Sequence, residues 1–168
     1  MQLKVIDKAL YRKRLNRITV LSILALLIIS LASSTLLISL LSDGSGSNFW
    51  LNFAGVVIGC ILVGSALKKL KTHPYFSEVA YIWDLKHELN LIQRKLRAIQ
   101  AAAEQHNPSA LLIMAYSYAG SRLIWQLDDN TLMMSELNLA DNKLQQQIAE
   151  LGLKLDPADY RRELLDQF

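Results

Sequence analysis

The chain has 168 residues, of which 52% are hydrophobic and 20% are charged, with 18 basic and 15 acidic side chains. This length suits one domain, or a small domain with a membrane anchor, and leaves little room for two large lobes. The single cysteine excludes a disulfide scaffold and any zinc or iron–sulfur site built on cysteines. The three histidines lie far apart in the sequence, so we expect no metal site and no cofactor.

The charges are unevenly distributed along the chain. Residues 1–71 carry nine Lys and Arg against Asp7 and Asp43, a net charge of +7, whereas residues 72–168 carry nine against 13 acidic residues, a net charge of −4. The basic excess flanks the most apolar part of the chain, which is typical of a membrane surface. We therefore expect a lipid bilayer as a partner and no nucleic acid.

Two uncharged segments predict membrane spans. Residues 18–41 would form a helix of roughly 36 Å, and residues 49–67 one of about 28 Å, close to the 30 Å of a bilayer core. The connecting residues 42–48 are rich in Ser and Gly and include Asp43, which indicates a short turn. The two spans must then run antiparallel as a helical hairpin.

The flanking charges predict the orientation. Six Lys and Arg precede the first span and three Lys follow the second, whereas the connecting turn has none. The positive-inside rule then places both termini in the cytoplasm and the turn outside. The expected location is a bacterial inner membrane, with residues 1–17 as a basic cytoplasmic segment and residues 18–71 as the transmembrane hairpin.

Small side chains line one face of each predicted span. Asn52, Gly55, Gly59 and Ala66 share one face of the second span, and residues 55–59 form a GxxxG step that lets a neighbouring backbone approach closely. The corresponding face of the first span comprises Ser22, Ala25, Ala32, Ser33 and Ser39. These faces pack the hairpin against itself, or they form an interface with another copy or another membrane protein. Neither span contains Asp, Glu, Lys, Arg or His, which disfavours a transporter or channel unless many copies surround a pore.

Residues 72–168 have the pattern of an all-α cytoplasmic domain. From Ser77, a predicted N-cap, a helix to residue 105 has apolar residues spaced alternately by three and four, with Lys86, Glu88, Arg94, Lys95 and Arg97 on its flanks and outer side. The apolar positions are Ile82, Leu85, Leu89, Ile92, Leu96, Ile99 and Ala103. This seam favours either a dimeric coiled coil or one member of an antiparallel bundle within the chain.

Three further helices complete the prediction. Asn107 and Pro108 start a helix over residues 110–127 that is apolar on nearly every side, and we interpret it as the buried centre of the bundle rather than as a third span interrupted by Arg122. Residues 128–131 provide N-cap candidates for a helix that runs to about Leu151 with Gly152 as its C-terminal cap, and Asp156 and Pro157 begin a last short helix. The predicted fold class is all-α, with a two-helix transmembrane hairpin followed by an antiparallel bundle of about four helices.

One cluster of polar residues could carry chemistry. If the helices over residues 77–105 and 108–127 pair antiparallel, Trp83 and Lys86 come near Arg122, Asp128 and Asp129. Arg122 could then bridge Asp84 or Asp128 in a partly buried network. The network either binds an anionic ligand or only fixes the register of the helices. The common catalytic and phosphate-binding motifs are absent, so we expect no enzyme.

Four short motifs occur in an order that indicates a known family. They are residues 52–55 at the start of the second span, Pro74, residues 81–86 and residues 127–131. With the basic N-terminus and the hairpin, the chain resembles an uncharacterised family of small gammaproteobacterial inner-membrane proteins, catalogued as a domain of unknown function. The resemblance implies location and architecture and supplies no activity.

These observations lead to one functional hypothesis and two alternatives. The first is a non-enzymatic, membrane-anchored helical protein that assembles with itself or with a larger inner-membrane complex. An oligomeric channel or transport accessory is the second, and a membrane-bound ligand sensor or enzyme that uses the region of Arg122 and Asp128 is the third.

Overall fold

The computed structural model describes residues 3–168 with the exception of residues 43 and 45, so the turn predicted over residues 42–48, with Asp43, lies partly outside the described residues. Every regular element of the described part is helical, which confirms the predicted all-α class. The α-helices are α1 (Lys8–Leu41), α2 (Phe49–Leu70), α3 (Ser77–Arg94), α4 (Leu96–Glu104), α5 (Pro108–Leu127) and α6 (Met134–Glu150). Short 3₁₀ helices span Pro74–Phe76, Pro157–Asp159 and Arg162–Gln167.

Helices α1 and α2 are both long and apolar enough to cross a membrane. They contain the predicted spans 18–41 and 49–67, but α1 begins at Lys8, so the basic residues before the first span belong to the same helix. In the most apolar 18-residue window of each helix, only 11% of the residues are buried. Most of this apolar surface is therefore not covered by the chain itself.

The chain divides into two compact units. The hairpin unit comprises residues 9–80, and the helical unit comprises residues 81–168 together with the N-terminal residues 3–8. These limits differ from the predicted boundaries at residues 17/18 and 71/72. Residues 9–17 belong to the same helix as the first span, and the short segment 74–76 leads directly into α3. The limits of the two units therefore fall at positions that the hydropathy of the sequence does not mark.

Within the hairpin unit, α1 and α2 meet where both have small residues. Gly55 lies against Ser34, and Gly59 lies against Ser30. The contact advances toward the end of α2 as it moves back along α1, so the two helices run in opposite directions. A Cβ atom added to Gly55 would lie 2.7 Å from the backbone nitrogen of Ser34, a distance that only glycine permits.

Helix α5 is the centre of the helical unit. It contacts α4, α6 and both C-terminal 3₁₀ helices. Helix α3 approaches it at Gly120, where an added Cβ atom would lie 3.3 Å from Leu85 and 3.2 Å from Leu89. The buried residues of α5 are Ala110, Leu111, Ile113, Ala115, Tyr116, Gly120, Ile124 and Leu127. Because these residues lie on several sides of the helix, α5 needs neighbours around it.

The helix predicted over residues 77–105 is interrupted at Lys95. The backbone of Lys95 has φ −106° and ψ 7°, and its N–H bonds to the carbonyl of Ile92, three residues back, so α3 ends and α4 begins there. The Lys95 Nζ donates a 2.7 Å hydrogen bond to the carbonyl of Leu165, a contact distant in sequence. All seven seam positions of residues 82–103 are nonetheless buried or half-buried within the chain.

Several predicted helix ends are wrong. Ser77 has helical dihedral angles, and the preceding turn is capped instead by His73, whose side chain accepts from the Tyr75 N–H. Residues 128–131 end α5 rather than cap α6, because Asp129 is left-handed at φ +55° and the Asn130 N–H bonds back to the Trp125 carbonyl. The N-cap of α6 is Met133.

Other predicted ends are confirmed. The Asn107 side chain caps α5 and accepts from the N–H groups of Ser109 and Ala110, and Gly152 follows α6 in a left-handed conformation. Asp156 caps the segment after it, as expected. The single last helix predicted there is two 3₁₀ helices instead, with an extended residue, Arg161, before the second.

Candidate functional site

The predicted small-residue face of α2 divides into two parts. Gly55 and Gly59 are buried against α1, whereas the side chains of Asn52 and Ala66 are exposed. Asn52 takes part through its backbone, because its carbonyl accepts a 3.3 Å hydrogen bond from the Ser34 hydroxyl. The GxxxG step is therefore used inside the hairpin, the simpler of the two uses that its pattern allows.

The contacting face of α1 differs from the predicted one. Ser30 and Ser34 meet the glycines of α2, whereas Ala32 and Ser39 are exposed. Ser30 and Ser34 are four residues apart, the spacing that matches Gly55 and Gly59 on the facing helix. The Ser30 hydroxyl is buried and has no hydrogen-bond partner within the described residues.

Beyond this contact, toward the basic ends of the two helices, the hairpin unit contains an apolar groove of about 360 Å³. Small side chains leave the space open, namely Ser22 and Ala25 on α1 and Ala66 on α2. Tyr75 and Phe76, in the 3₁₀ helix after α2, also line it. The Ser22 hydroxyl bonds to the Ile18 carbonyl in its own helix at 2.7 Å, so the groove offers almost no polar group to a ligand.

The predicted polar network separates into different pairs. Lys86 on α3 forms a 2.8 Å ion pair with Asp128, as the antiparallel arrangement predicts. Arg122, however, is bound to Asp141 on α6 at 2.6 Å and to Asn138 at 3.2 Å, so its expected bridge to Asp84 or Asp128 is wrong. The reason is geometric, since α6 packs along α5 and brings its own carboxylate to Arg122.

The other two members of that cluster have separate surroundings. Asp129 forms an ion pair with Lys8, from the N-terminal segment of the helical unit. The same segment contacts α3, where the Lys4 backbone N–H donates a 2.9 Å hydrogen bond to the Tyr81 hydroxyl. Trp83 is 58% exposed on the surface of α3. The five residues therefore do not enclose a common pocket.

The structure contains a buried charged cluster that was not predicted from the sequence. Glu88 on α3, expected on a flank or the outer side of its helix, is only 3% exposed. Its carboxylate accepts hydrogen bonds from the Tyr160 hydroxyl at 2.7 Å and from Arg162 Nε at 2.9 Å. Burial alone would raise the pKa of Glu88, but the bonds from Arg162 and Tyr160 outweigh burial and lower the pKa below its usual value. Glu88 is thus held as a carboxylate.

Two tyrosine rings stack beside this carboxylate. The rings of Tyr116 and Tyr160 lie 4.0 Å apart between centroids at an interplanar angle of 15°. Burial, with the nearby negative charge of Glu88, raises the pKa of both hydroxyl groups. The Tyr116 hydroxyl is buried and has no hydrogen-bond partner within the described residues.

The arrangement of this cluster suits a structural role rather than catalysis. Both Glu88 oxygens accept hydrogen bonds, and a carboxyl group with a lowered pKa is a poor proton acceptor at neutral pH. The bonds tie α3 to residues that follow more than 70 positions later. Sequence alone offered one signal, the position of Glu88 three residues after Leu85 and four before Ile92 on the buried side of the seam.

In the part of the chain that the structure describes, no group of three His, Cys, Asp or Glu side chains lies close enough to hold a metal ion. The one cysteine, Cys60, is exposed on α2.

The fold and these sites define an all-helical protein with two helices long enough to span a membrane and a compact helical unit built around α5. The chain belongs to the family described as "Protein of unknown function (DUF3087)", whose model matches residues 1–165. No curated protein and no solved structure matches the chain. The family membership confirms the resemblance to a domain of unknown function and brings no activity with it.

Proposed function

We propose that this chain is a non-enzymatic, membrane-anchored assembly protein of the bacterial inner membrane. Helices α1 and α2 form the transmembrane hairpin, and residues 72–168 form an antiparallel helical bundle in the cytoplasm. The observation that carries the proposal is the exposed apolar surface of both long helices, with only 11% of the residues of each apolar window buried. In water such a surface would be costly, whereas a bilayer or partner helices would cover it.

The distribution of charge supports the orientation. Lys and Arg precede the first apolar segment and follow the second, which favours both termini in the cytoplasm. The bundle would then lie in the cytoplasm, where residues 72–168, with their net charge of −4, are available to a protein partner. The partner is either a second copy of the chain or a larger membrane complex.

Gly55 and Gly59 are buried against α1 within the hairpin, so assembly with another chain would use other surfaces. Gly64 and Cys60, one turn apart on α2, are not covered by α1, and no atom lies within 4 Å of a Cβ added to Gly64. The exposed Trp83 on α3 offers an aromatic contact of the kind common in protein interfaces. The ligand-sensor alternative has less support, because Arg122 and Asp128 hold different partners.

The native mass of the protein, extracted gently at its natural expression level, tests the proposal. We expect either several copies of the chain or a stoichiometric second protein in the same particle. Oxidative cross-linking at Cys60 in membranes, with Cys60→Ser as the control, reports the proximity of a second copy before extraction. A monomer without partners, together with no cross-linked product, would contradict the assembly role.

A further inference from the structure

We propose that the apolar groove between α1 and α2 binds one acyl chain of an anionic phospholipid, with the phosphate headgroup at the basic ends of the two helices. This inference rests on the proposed membrane location of the hairpin. The groove lies within the hairpin unit and is lined along α1 by residues from Ile18 to Ile29.

The dimensions of the groove match a lipid chain. At 1.5 Å per residue, Ile18 and Ile29 lie roughly 16 Å apart along α1, about the thickness of one leaflet of a 30 Å hydrocarbon core. The volume of about 360 Å³ is far below that of a helix of this length, which is about 10 Å wide. A single hydrocarbon chain fits a space that is long, narrow and open on one side.

The chemistry of the lining selects an apolar occupant. The hydroxyl of Ser22 is engaged with the carbonyl of Ile18, and the remaining lining side chains are aliphatic or aromatic. Water needs two to four polar partners to occupy a site, and this groove does not provide them. An acyl chain would bury its methylene groups against Ala25, Ala66 and the neighbouring aliphatic residues.

The charges at the end of the groove select the headgroup. Arg17 directly precedes the lining residue Ile18, and Lys71 directly follows the lining residue Leu70. Residues 12–17 and 68–78 together contain seven Lys and Arg against one acidic residue, Glu78. Basic residues around a cleft between membrane helices are typical of sites for anionic lipid headgroups.

The aromatic end of the groove is held in place by the same basic region. The Arg14 guanidinium group lies 5.1 Å from the centroid of the Tyr75 ring and forms an ion pair with Glu78. Burial alone would raise the pKa of Glu78. The carboxylate accepts hydrogen bonds from its own backbone N–H and from the Ser77 hydroxyl, and together with the positive charge of Arg14 these bonds lower the pKa. Tyr75 is therefore positioned at the end of the groove, at the level expected for an aromatic residue at the membrane interface.

Native mass spectrometry of the full chain tests this proposal. The protein is purified in mild detergent, stripped of lipid, and mixed with phosphatidylglycerol or with phosphatidylcholine. We expect one phosphatidylglycerol per protomer and weaker retention of phosphatidylcholine. Ala25→Trp, which fills the groove, should weaken retention roughly tenfold, since displacing even about two methylene groups corresponds to that factor.

Matched variants distinguish the effect of filling the groove from the general effect of adding a large side chain to the helix. Ile28→Trp adds the same side chain on the outward face of α1, where Ile28 is 66% exposed, and should retain lipid like the wild type. The double variant Arg17→Gln with Lys71→Gln should remove the preference for phosphatidylglycerol. Ala66→Trp fills the groove from α2 and replaces Ala25→Trp if that variant loses its helical circular dichroism.

Three results would overturn the proposal: no retained phospholipid in the wild type, equal retention by Ala25→Trp and Ile28→Trp, or equal retention of both lipids. A loss of protein copies instead of lipid in Ala25→Trp would assign the groove to a second chain. The same spectra count protein chains independently of bound lipid. A monomer with lipid would therefore defeat the assembly role alone, and an assembly without lipid would defeat the groove alone.

Discussion

Gly55 on α2 lies against the backbone of Ser34 on α1, and the Ser34 hydroxyl donates a 3.3 Å hydrogen bond to the Asn52 carbonyl within the same contact. The approach gives each backbone dispersion contacts with the other and satisfies one hydroxyl in an apolar setting. The contact depends on the absence of a side chain at residue 55.

Substitution of this glycine is expected to open the hairpin. Gly55→Leu should lower the free energy of unfolding by about 1–3 kcal/mol, because the new side chain overlaps the backbone of Ser34. Thermal unfolding in mild detergent measures the effect. Gly64→Leu is the matched control, since a Cβ added there meets nothing within 4 Å. Leu has a higher helix propensity than Gly, so equal losses of stability in both variants would mean that the contact with Ser34 is not responsible.

Neutralising the buried carboxylate is expected to loosen the C-terminal segment. Glu88→Gln keeps the shape but removes the charge that binds Arg162 and Tyr160, at an expected cost of about 2 kcal/mol. Chemical denaturation and hydrogen exchange of residues 160–168 should report the loss. Glu104→Gln, at an exposed position at the end of α4, should change the free energy of unfolding very little.

The same carboxylate predicts a dependence of stability on pH. Because the pKa of Glu88 is lowered on folding from 4.5, its stabilising contribution is complete above that value and is lost as the pH falls through the lower folded pKa. The stability difference between the wild type and Glu88→Gln should be constant from pH 7 to about pH 5 and should shrink in more acidic solution. A difference that grows on acidification would contradict the lowered pKa.

Two of the ion pairs formed by residues of the predicted network should differ in strength. Arg122 and Asp141 are 33% and 13% exposed, whereas Lys86 and Asp128 are 46% and 35% exposed. Double-mutant cycles with Arg122→Gln and Asp141→Asn should give a coupling of about 1 kcal/mol, and the Lys86 and Asp128 cycle below about 0.5 kcal/mol. The reverse order would show that Arg122 is not held by α6.

The proposed orientation predicts which positions are reachable from outside the cell. In a Cys60→Ala background, Ser47→Cys lies in the connecting turn, and Ser135→Cys lies at an exposed position of α6. A membrane-impermeant maleimide added to intact cells should label residue 47, and it should label residue 135 only after permeabilisation. The opposite pattern would reverse the topology, and labelling of both would contradict a membrane-spanning hairpin.

Local patterns were sufficient for most elements of this fold. Uncharged length predicted α1 and α2, and the cap at Asn107 and the glycine at residue 152 marked helix ends correctly, because these signals act between residues a few positions apart. The seam of residues 82–103 correctly predicted burial, since its period reports one face of a helix. The pattern could not exclude the break at Lys95, which coincides with a bond to a residue 70 positions away.

The partners of charged residues were decided only by the tertiary structure. Sequence determined that this protein is all-helical, that two helices suit a membrane, and that basic residues flank them. Packing decided that Arg122 binds Asp141, that Glu88 turns inward to Tyr160, and that Ser34 rather than Ser33 meets Gly55. The physical reason is range: hydropathy and capping act along a helix, whereas an ion pair or a close helix contact depends on where another helix, distant in sequence, places its side chains.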